Sequence, residues 1–335
     1  MTRLWLAVLL SAFARAADVP VREMTDLGEE GNAYVARTFA AYRSEHPAGA
    51  CRSDGDETRV IVTGYGLFSG VDYNVSGTVV RSMAEPGFWP ERAPGASPVA
   101  GKLAAGDHGG RAFNRSLTID GRRYEVCFLV LDVIWDLAAA VLIHEETRFQ
   151  PRLVLMTGRG AGDVSIEAGA LNRASPYPGY DAEGRPLGRE NTPRSEWLLP
   201  GYPAGQELPM TWDNRALARA ITPAVARLGY TVSVPGGARR ENDYLCNDIS
   251  FVALHAARNR PTLLAGESVA LPSPGFAAEP VTGFLHLPAV DGRHPGLGSY
   301  AEGIRAWGDV VARVIAQAAP APRAPRSLTV PEPAF

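Results

Sequence analysis

Three short apolar runs constrain this chain more than any other feature. Arg59-Val60-Ile61-Val62-Thr63, Leu153-Val154-Leu155-Met156 and residues 281–287 are apolar nearly throughout rather than alternating. That is the pattern of β-strands covered on both faces. Segments with apolar residues at helical spacing come between and after them, at 75–83, 135–148, 212–228, 246–258 and 299–318. A further strand is expected at 230–234, and residues 116–131 read as a hairpin turning on Asp120-Gly121. Strands buried on both faces need a helical layer on each side. The expected fold class is therefore α/β, a single three-layer α/β/α domain with a mostly parallel, doubly wound sheet. With 335 residues, 46% of them hydrophobic, the chain has enough material for one sizeable core.

The rest of the chain is organised around that domain. Met1-Thr2-Arg3 begins a short cationic start, residues 4–13 are apolar but too few to span a bilayer, and Ala14-Arg15-Ala16 matches a signal-peptidase site. A signal peptide over 1–16 is expected, and with it a periplasmic or secreted protein beginning at Ala17. Residues 17–55 read as a polar N-terminal extension with one helix over 31–43, where Tyr34, Val35, Phe39 and Tyr42 share a side. The folded domain is expected over 56–318. It carries a Gly-, Pro- and Ala-rich insertion near 86–112, a loop-like stretch over 174–212 and a second insertion near 264–280. The Pro-rich tail 319–335 has the composition of a disordered segment.

Charge narrows the partners. The formal net charge is −3, and losing Arg3 and Arg15 with the signal peptide takes it to −5. Without a basic surplus, nucleic acid is not an expected partner. No later stretch is long and apolar enough for a membrane span, so no membrane association is expected after signal cleavage. A homo-oligomer is left open. Three cysteines, Cys51, Cys127 and Cys246, leave at least one thiol over in an oxidising compartment. Cys51 and Cys127 either pair or stay as inert, partly buried thiols.

In a doubly wound sheet the chemistry gathers beyond the carboxyl ends of the strands. Four segments fall there: the Gly-rich loop after Thr63, the Gly-rich loop after Met156, the segment after Val234, and the residues after Phe284. Cys246 opens a predicted helix, where the dipole and free N–H groups favour a thiolate and can hold an oxyanion. A cysteine nucleophile needs a base, usually histidine. His286 stands at the end of an apolar strand. Among the other histidines, His144 and His255 lie within helices and are expected near the surface. Glu167, in Ser165-Ile166-Glu167-Ala168, is a carboxylate that can orient an imidazole. Each residue alone has a plainer reading: a structural thiol, a hydrogen-bonded core histidine and a solvated acid.

Taken together and in order, the motifs resemble those of the pyroglutamyl-peptidase I (pyrrolidone-carboxylate peptidase) family of cysteine peptidases. Thr63-Gly64-Tyr65-Gly66-Leu67-Phe68-Ser69-Gly70 followed by Asn74 resembles the family's T-G-F-x-P-F-G-G and N-P. Ser165-Ile166-Glu167 with Ala170-Leu171-Asn172 resembles its S-I-E-R-x-A-x-N. Tyr244-Leu245-Cys246-Asn247 resembles its nucleophile motif, and Gly283-Phe284-Leu285-His286-Leu287-Pro288 its G-F-I-H-V-P. The resemblance runs from about 60 to 316, with the two insertions unmatched.

The resemblance implies an exopeptidase that removes N-terminal pyroglutamate from blocked peptides through an acyl-enzyme, with no metal and no other cofactor. Cys246 would be the nucleophile, His286 the base and then the acid, and Glu167 the residue that orients His286. Tyr65, Phe68, Tyr244, Asn74 and Arg159 would line the substrate pocket, the aromatic rings lying against a flat, uncharged lactam. The departures fall in the pocket. Leu67 and Val75 replace two prolines, and Ala161 stands where an arginine is usual, with Arg159 nearby. Glu241-Asn242-Asp243 precedes Tyr244 in place of A-G-x, bringing near the thiol two acids that would disfavour a thiolate unless they point away or pair with Arg239 or Arg240. Two alternatives accompany this reading. One is an amidase or other cysteine hydrolase taking a different acyl group, where Arg159 would suit an anionic substrate. The other is a non-catalytic binding protein on the same scaffold.

Overall fold

The computed structural model describes residues 21–55, 57–67, 74–85, 110–181, 184–289 and 300–320. The expected signal peptide, Phe68, residues 86–109 of the first insertion and the tail from 321 lie outside the described residues.

The strands are β1 (Arg22–Glu23), β2 (Thr58–Tyr65), β3 (Gly110–Ile119), β4 (Arg122–Leu131), β5 (Leu153–Gly160), β6 (Val164–Ile166), β7 (Gly169–Leu171), β8 (Glu207–Pro209), β9 (Val232–Ser233), β10 (Thr262–Leu263), β11 (Ala270–Leu271) and β12 (Val281–Pro288). The helices are α1 (Gly28–Glu45), α2 (Val75–Ala84), α3 (Leu137–Phe149), α4 (Asn214–Arg227), α5 (Leu245–Ala257) and α6 (Tyr300–Ala318). Seven strands form the main sheet in the order β3-β4-β2-β5-β12-β6-β9. Within it β4, β2, β5 and β12 run parallel, β3 is an antiparallel edge hairpin on β4, and β6 runs antiparallel to β12. Helices α2, α4 and α6 pack together on one face, and α1, α3 and α5 on the other. This is the three-layer α/β/α arrangement that the apolar runs demand.

Local chemistry explains the element boundaries. Asp120 and Gly121 both have positive φ, 49° and 76°, the backbone of a two-residue turn whose twist matches the strands it joins. Asn74 caps α2 by accepting from the Ser76 backbone, and Asp213 caps α4 by accepting from the Arg215 and Ala216 backbones. Strand β5 runs four residues past the apolar run, through Thr157-Gly158-Arg159-Gly160. This stretch reads as a loop in the sequence because glycine disfavours strands in isolation. Pairing with β12 along its whole length holds it extended.

The N-terminal extension is built into the domain. Val35, Phe39 and Tyr42 of α1 enter the common core. β1 pairs with β10, and β10 with β11 from the second insertion, so these two distant parts of the chain share a small three-stranded sheet. Cys51 is bonded to Cys127 in the middle of β4, 76 positions further along the chain, and Cys246 is the free thiol. Among the described residues no helix is long and apolar enough to cross a membrane.

Candidate active site

The carboxyl ends of β2, β5 and β12 and the start of α5 surround one cavity of about 290 Å³. Tyr65, Asn74, Arg159, Arg239, Tyr244, Cys246 and His286 are among its lining residues. Cys246 occupies the first turn of α5, half-buried at the cavity. Its sulfur lies against β5 at Gly158, where a Cβ would stand 2.7 Å from Sγ and 2.7 Å from the Phe284 ring. Only glycine leaves room there. Gly158 is also the register partner of His286 on the neighbouring strand, and Cys246 and His286 line the same cavity. The start of α5 is pinned from two sides. The Tyr65 hydroxyl donates to the Leu245 carbonyl at 3.0 Å. The Asn247 side chain accepts from Leu171 N and donates to the Leu171 and Arg173 carbonyls, each at 2.8 Å.

Glu167 reaches His286 because β6 lies antiparallel on β12, pairing Ser165 with His286, and the Glu167 backbone N–H continues the ladder to the Phe284 carbonyl at 3.0 Å. The Trp212 indole covers Gly283, where a Cβ would stand 2.1 Å from the ring, and donates to the Glu167 carbonyl at 3.3 Å. Glu167 is fully buried. Its Oε1 and His286 Nδ1 are 2.7 Å apart. With the Nδ1 proton donated to the carboxylate, Nε2 carries the free lone pair.

A third side chain joins this pair. Arg239 forks onto Glu167, Nη2 donating to Oε1 and Nε donating to Oε2 at 3.4 Å. Its Nη2 comes within 3.4 Å of His286 Nδ1, since both nitrogens address the same oxygen. Burial pushes the Glu167 carboxyl up, but the hydrogen bonds and charges of His286 and Arg239 outweigh it and leave it below the usual carboxylate range. The Cys246 thiol moves the other way. Burial, and then the Glu167 charge, push it up to about 12, against the opposing pull of a hydrogen bond from its own backbone and of Arg239. The helix N-terminus therefore does not leave a resting thiolate, as its position in the sequence suggested. Dehydration of the sulfur costs more than the dipole returns.

Of the eight residues singled out in the sequence, seven lie at this site and Phe68 is outside the described residues. Asn74 borders the cavity, but its amide is engaged: Nδ2 donates to the Gly66 carbonyl at 3.0 Å, and Oδ1 accepts from Ser76 N and Oγ. The Tyr244 ring packs edge-on against Trp135, and its hydroxyl donates to the Pro178 carbonyl at 2.7 Å. Asp243 pairs with Arg173 at 3.6 Å, and Arg239 pairs with Glu167. His144 and His255 are buried, not superficial. His144 faces the His46 carbonyl at 2.9 Å, and His255 faces the Tyr202 hydroxyl at 2.9 Å. Nothing in the loop sequence around Arg239 marks it as part of a site. It carries no motif, and its partner lies 72 residues away. Among the described residues no cluster of three or more His, Cys, Asp or Glu is placed to hold a metal.

No protein-family profile matches the chain, and no curated protein matches it. Solved structures do. A mutant pyrrolidone carboxyl peptidase from the hyperthermophile Pyrococcus furiosus is 19% identical, covering 78% of this chain and 98% of that one, with a TM-score of 0.47. Bacillus amyloliquefaciens pyroglutamyl peptidase I is 16% identical, covering 78% of this chain and 97% of that one, with a TM-score of 0.46.

Proposed function

We propose that this protein is a cysteine hydrolase of the exopeptidase type, releasing an N-terminal pyroglutamyl group from blocked peptides. The observation that carries the reading is a buried Glu167–His286 hydrogen bond at the wall of the cavity into which Cys246 faces. Cys246 is the nucleophile, His286 Nε2 takes its proton as the sulfur attacks the acyl carbonyl, and Glu167 holds the ring with Nε2 free. The high proton affinity of the resting thiol suits this order, in which the proton leaves as the S–C bond forms and not beforehand. The thioester forms as the N–C bond of the leaving amine breaks, that amine taking the proton back from His286. Water then attacks the thioester with His286 as base. The Asn247 and Asp248 N–H groups are given to the Tyr244 carbonyl, which leaves the Cys246 N–H, in the first turn of α5, as the candidate donor to the developing oxyanion.

The wall of the cavity supports the acyl group chosen. Tyr65, Val133, Tyr244 and Leu245 give it an apolar lining suited to a flat, neutral lactam. Arg159 on the same wall favours a second reading, an amidase whose acyl group carries a carboxylate. An expressed-protein screen over pyroglutamyl-, acetyl-, succinyl- and glutaryl-arylamides separates the two. Turnover confined to the pyroglutamyl compound supports the first, and turnover confined to the acidic compounds supports the second. In either case Cys246→Ala lowers product release about a thousandfold or more. A Cys246→Ala protein that keeps wild-type turnover would sink both.

A further inference from the structure

Arg239 has no role in the chemistry above, yet its guanidinium is bound to both carboxylate oxygens of Glu167. We propose that Arg239 is a positioning residue: by holding both carboxylate oxygens of Glu167 it keeps that group ionised and turned to His286, and cancels the charge that would otherwise load the imidazole with a second proton. The inference rests on the proposed cysteine-hydrolase reading for its kinetic consequence, but not for its electrostatic one.

The geometry is that of a fork on a carboxylate, the arrangement in which arginine gives direction as well as charge. Glu167 is fully buried, and an ionised carboxylate facing only a neutral imidazole there would be driven toward protonation. Charge counting shows what the cation adds. Glu167 ionised, His286 neutral and Arg239 protonated sum to zero, so a further proton makes a net positive cluster inside the protein. Remove Arg239 and the same cluster is negative, so a further proton neutralises it. Glu167 and His286 then take up their proton at higher pH, as a coupled pair.

The other groups facing this pair are common to wild type and variant. Cys246 on α5 is held as the thiol. Arg159 of β5, Glu241 and Tyr244 of the loop, and Tyr65 of β2 line the same cavity. Trp212 donates to the Glu167 carbonyl. The loop between β9 and α5 delivers Arg239 and then Cys246 seven residues later, so one segment carries both the nucleophile and the group that tempers its base. Its path is braced by Ala238 N donating to Glu207 Oε1 at 3.0 Å and Asn242 N donating to the Arg239 carbonyl at 3.1 Å.

The test compares Arg239→Gln and Arg239→Lys in the full chain with wild type, reading kcat and KM against pH on whichever arylamide is turned over. The acid limb of kcat is expected to move up by about one pH unit in Arg239→Gln, a tenfold gain in proton affinity, with KM changed less than about twofold. Arg239→Lys keeps the cation and holds the wild-type limb. Arg239→Met repeats the neutral reading should Arg239→Gln fail to fold. A neutral variant whose acid limb superimposes on wild type overturns the inference, as does a lysine variant displaced as far as the glutamine one. If no arylamide is turned over, the functional reading fails and NMR titration of the His286 ring decides alone. Proton uptake at higher pH in the neutral variant supports the role of Arg239, and identical titrations overturn it.

Discussion

Two fully buried glutamates in this protein meet opposite fates. Glu167, at the end of β6, faces an imidazole and a guanidinium and lies below the usual carboxylate range. Glu146, on α3, has an Oε2 with no hydrogen-bond partner, and burial alone pushes it up to about 8. Asp248 on α5 follows Glu146, pushed by burial up to about 7 even though its Oδ2 accepts from the Asp136 backbone at 3.2 Å. Burial is common to all three, so it is not what ionises a carboxyl group here. The donors supplied by other elements decide: Glu167 has them and Glu146 Oε2 does not. Glu146 on its helix keeps its proton to about pH 8, while Glu167 at the strand edge is kept charged and aimed at a base.

That contrast can be broken most directly by deleting each carboxyl in turn. Glu167→Ala should lower kcat by about a thousandfold or more, since the imidazole loses its orienting partner. Glu146→Ala should leave kcat per folded molecule at the wild-type value. Equal losses in the two variants, measured on folded protein, would erase the distinction.

Stability against pH sharpens it. The folded protein keeps the Glu146 proton to about pH 8, while the unfolded chain releases it near 4.5. The folded state therefore binds more protons across that window, and its stability falls as pH rises through it, by about 5 kcal/mol from this group. Glu146→Gln should then be more stable than wild type at pH 8 and about equal to it at pH 4, as measured by denaturant unfolding. Glu167 has the reverse sign: the stability it contributes is present above the ordinary carboxylate value and is lost as pH falls below it. Unfolding curves of wild type and Glu146→Gln that run parallel from pH 4 to 8 would refute the assignment to Glu146.

The smallest expected effect concerns the covalent tie next to α3. Cys51 N and Ala50 N donate to Glu145 Oε2 at 2.8 and 2.9 Å, and the Tyr42 hydroxyl donates to its Oε1 at 2.8 Å. The Cys51–Cys127 bond holds that segment against β4. Reducing it should cost about 2–4 kcal/mol of global stability and leave turnover by the remaining folded molecules unchanged. Loss of turnover without loss of folded structure would show that the tie reaches the strand edge.

Much of the architecture was legible in advance because it follows from local composition. Valine, isoleucine and leucine runs at 59–63, 153–156 and 281–287 sit in central strands, and the Asp120-Gly121 turn and helices α2, α5 and α6 fall within a residue or two of their expected positions. Of the site, Cys246, His286 and Glu167 were singled out through the resemblance of their motifs to those of the pyroglutamyl-peptidase I family, since each residue alone had a plainer reading. The strand character of Thr157–Gly160 was hidden, since it comes from pairing with β12 rather than from the residues themselves. The burial of His144 and His255 was hidden as well. A helix sequence alone does not say which of its faces a neighbouring layer will cover.

The sequence by itself determined the layers: apolar runs that must be covered on both sides, separated by helices able to cover them, leave few other solutions. Only the tertiary structure decided the protonation of the groups on those layers. A carboxyl or a thiol responds to whatever donors and charges stand within a few ångströms. Those neighbours, Arg239 for Glu167 and Glu167 for Cys246, come from segments about 70 to 80 residues away along the chain.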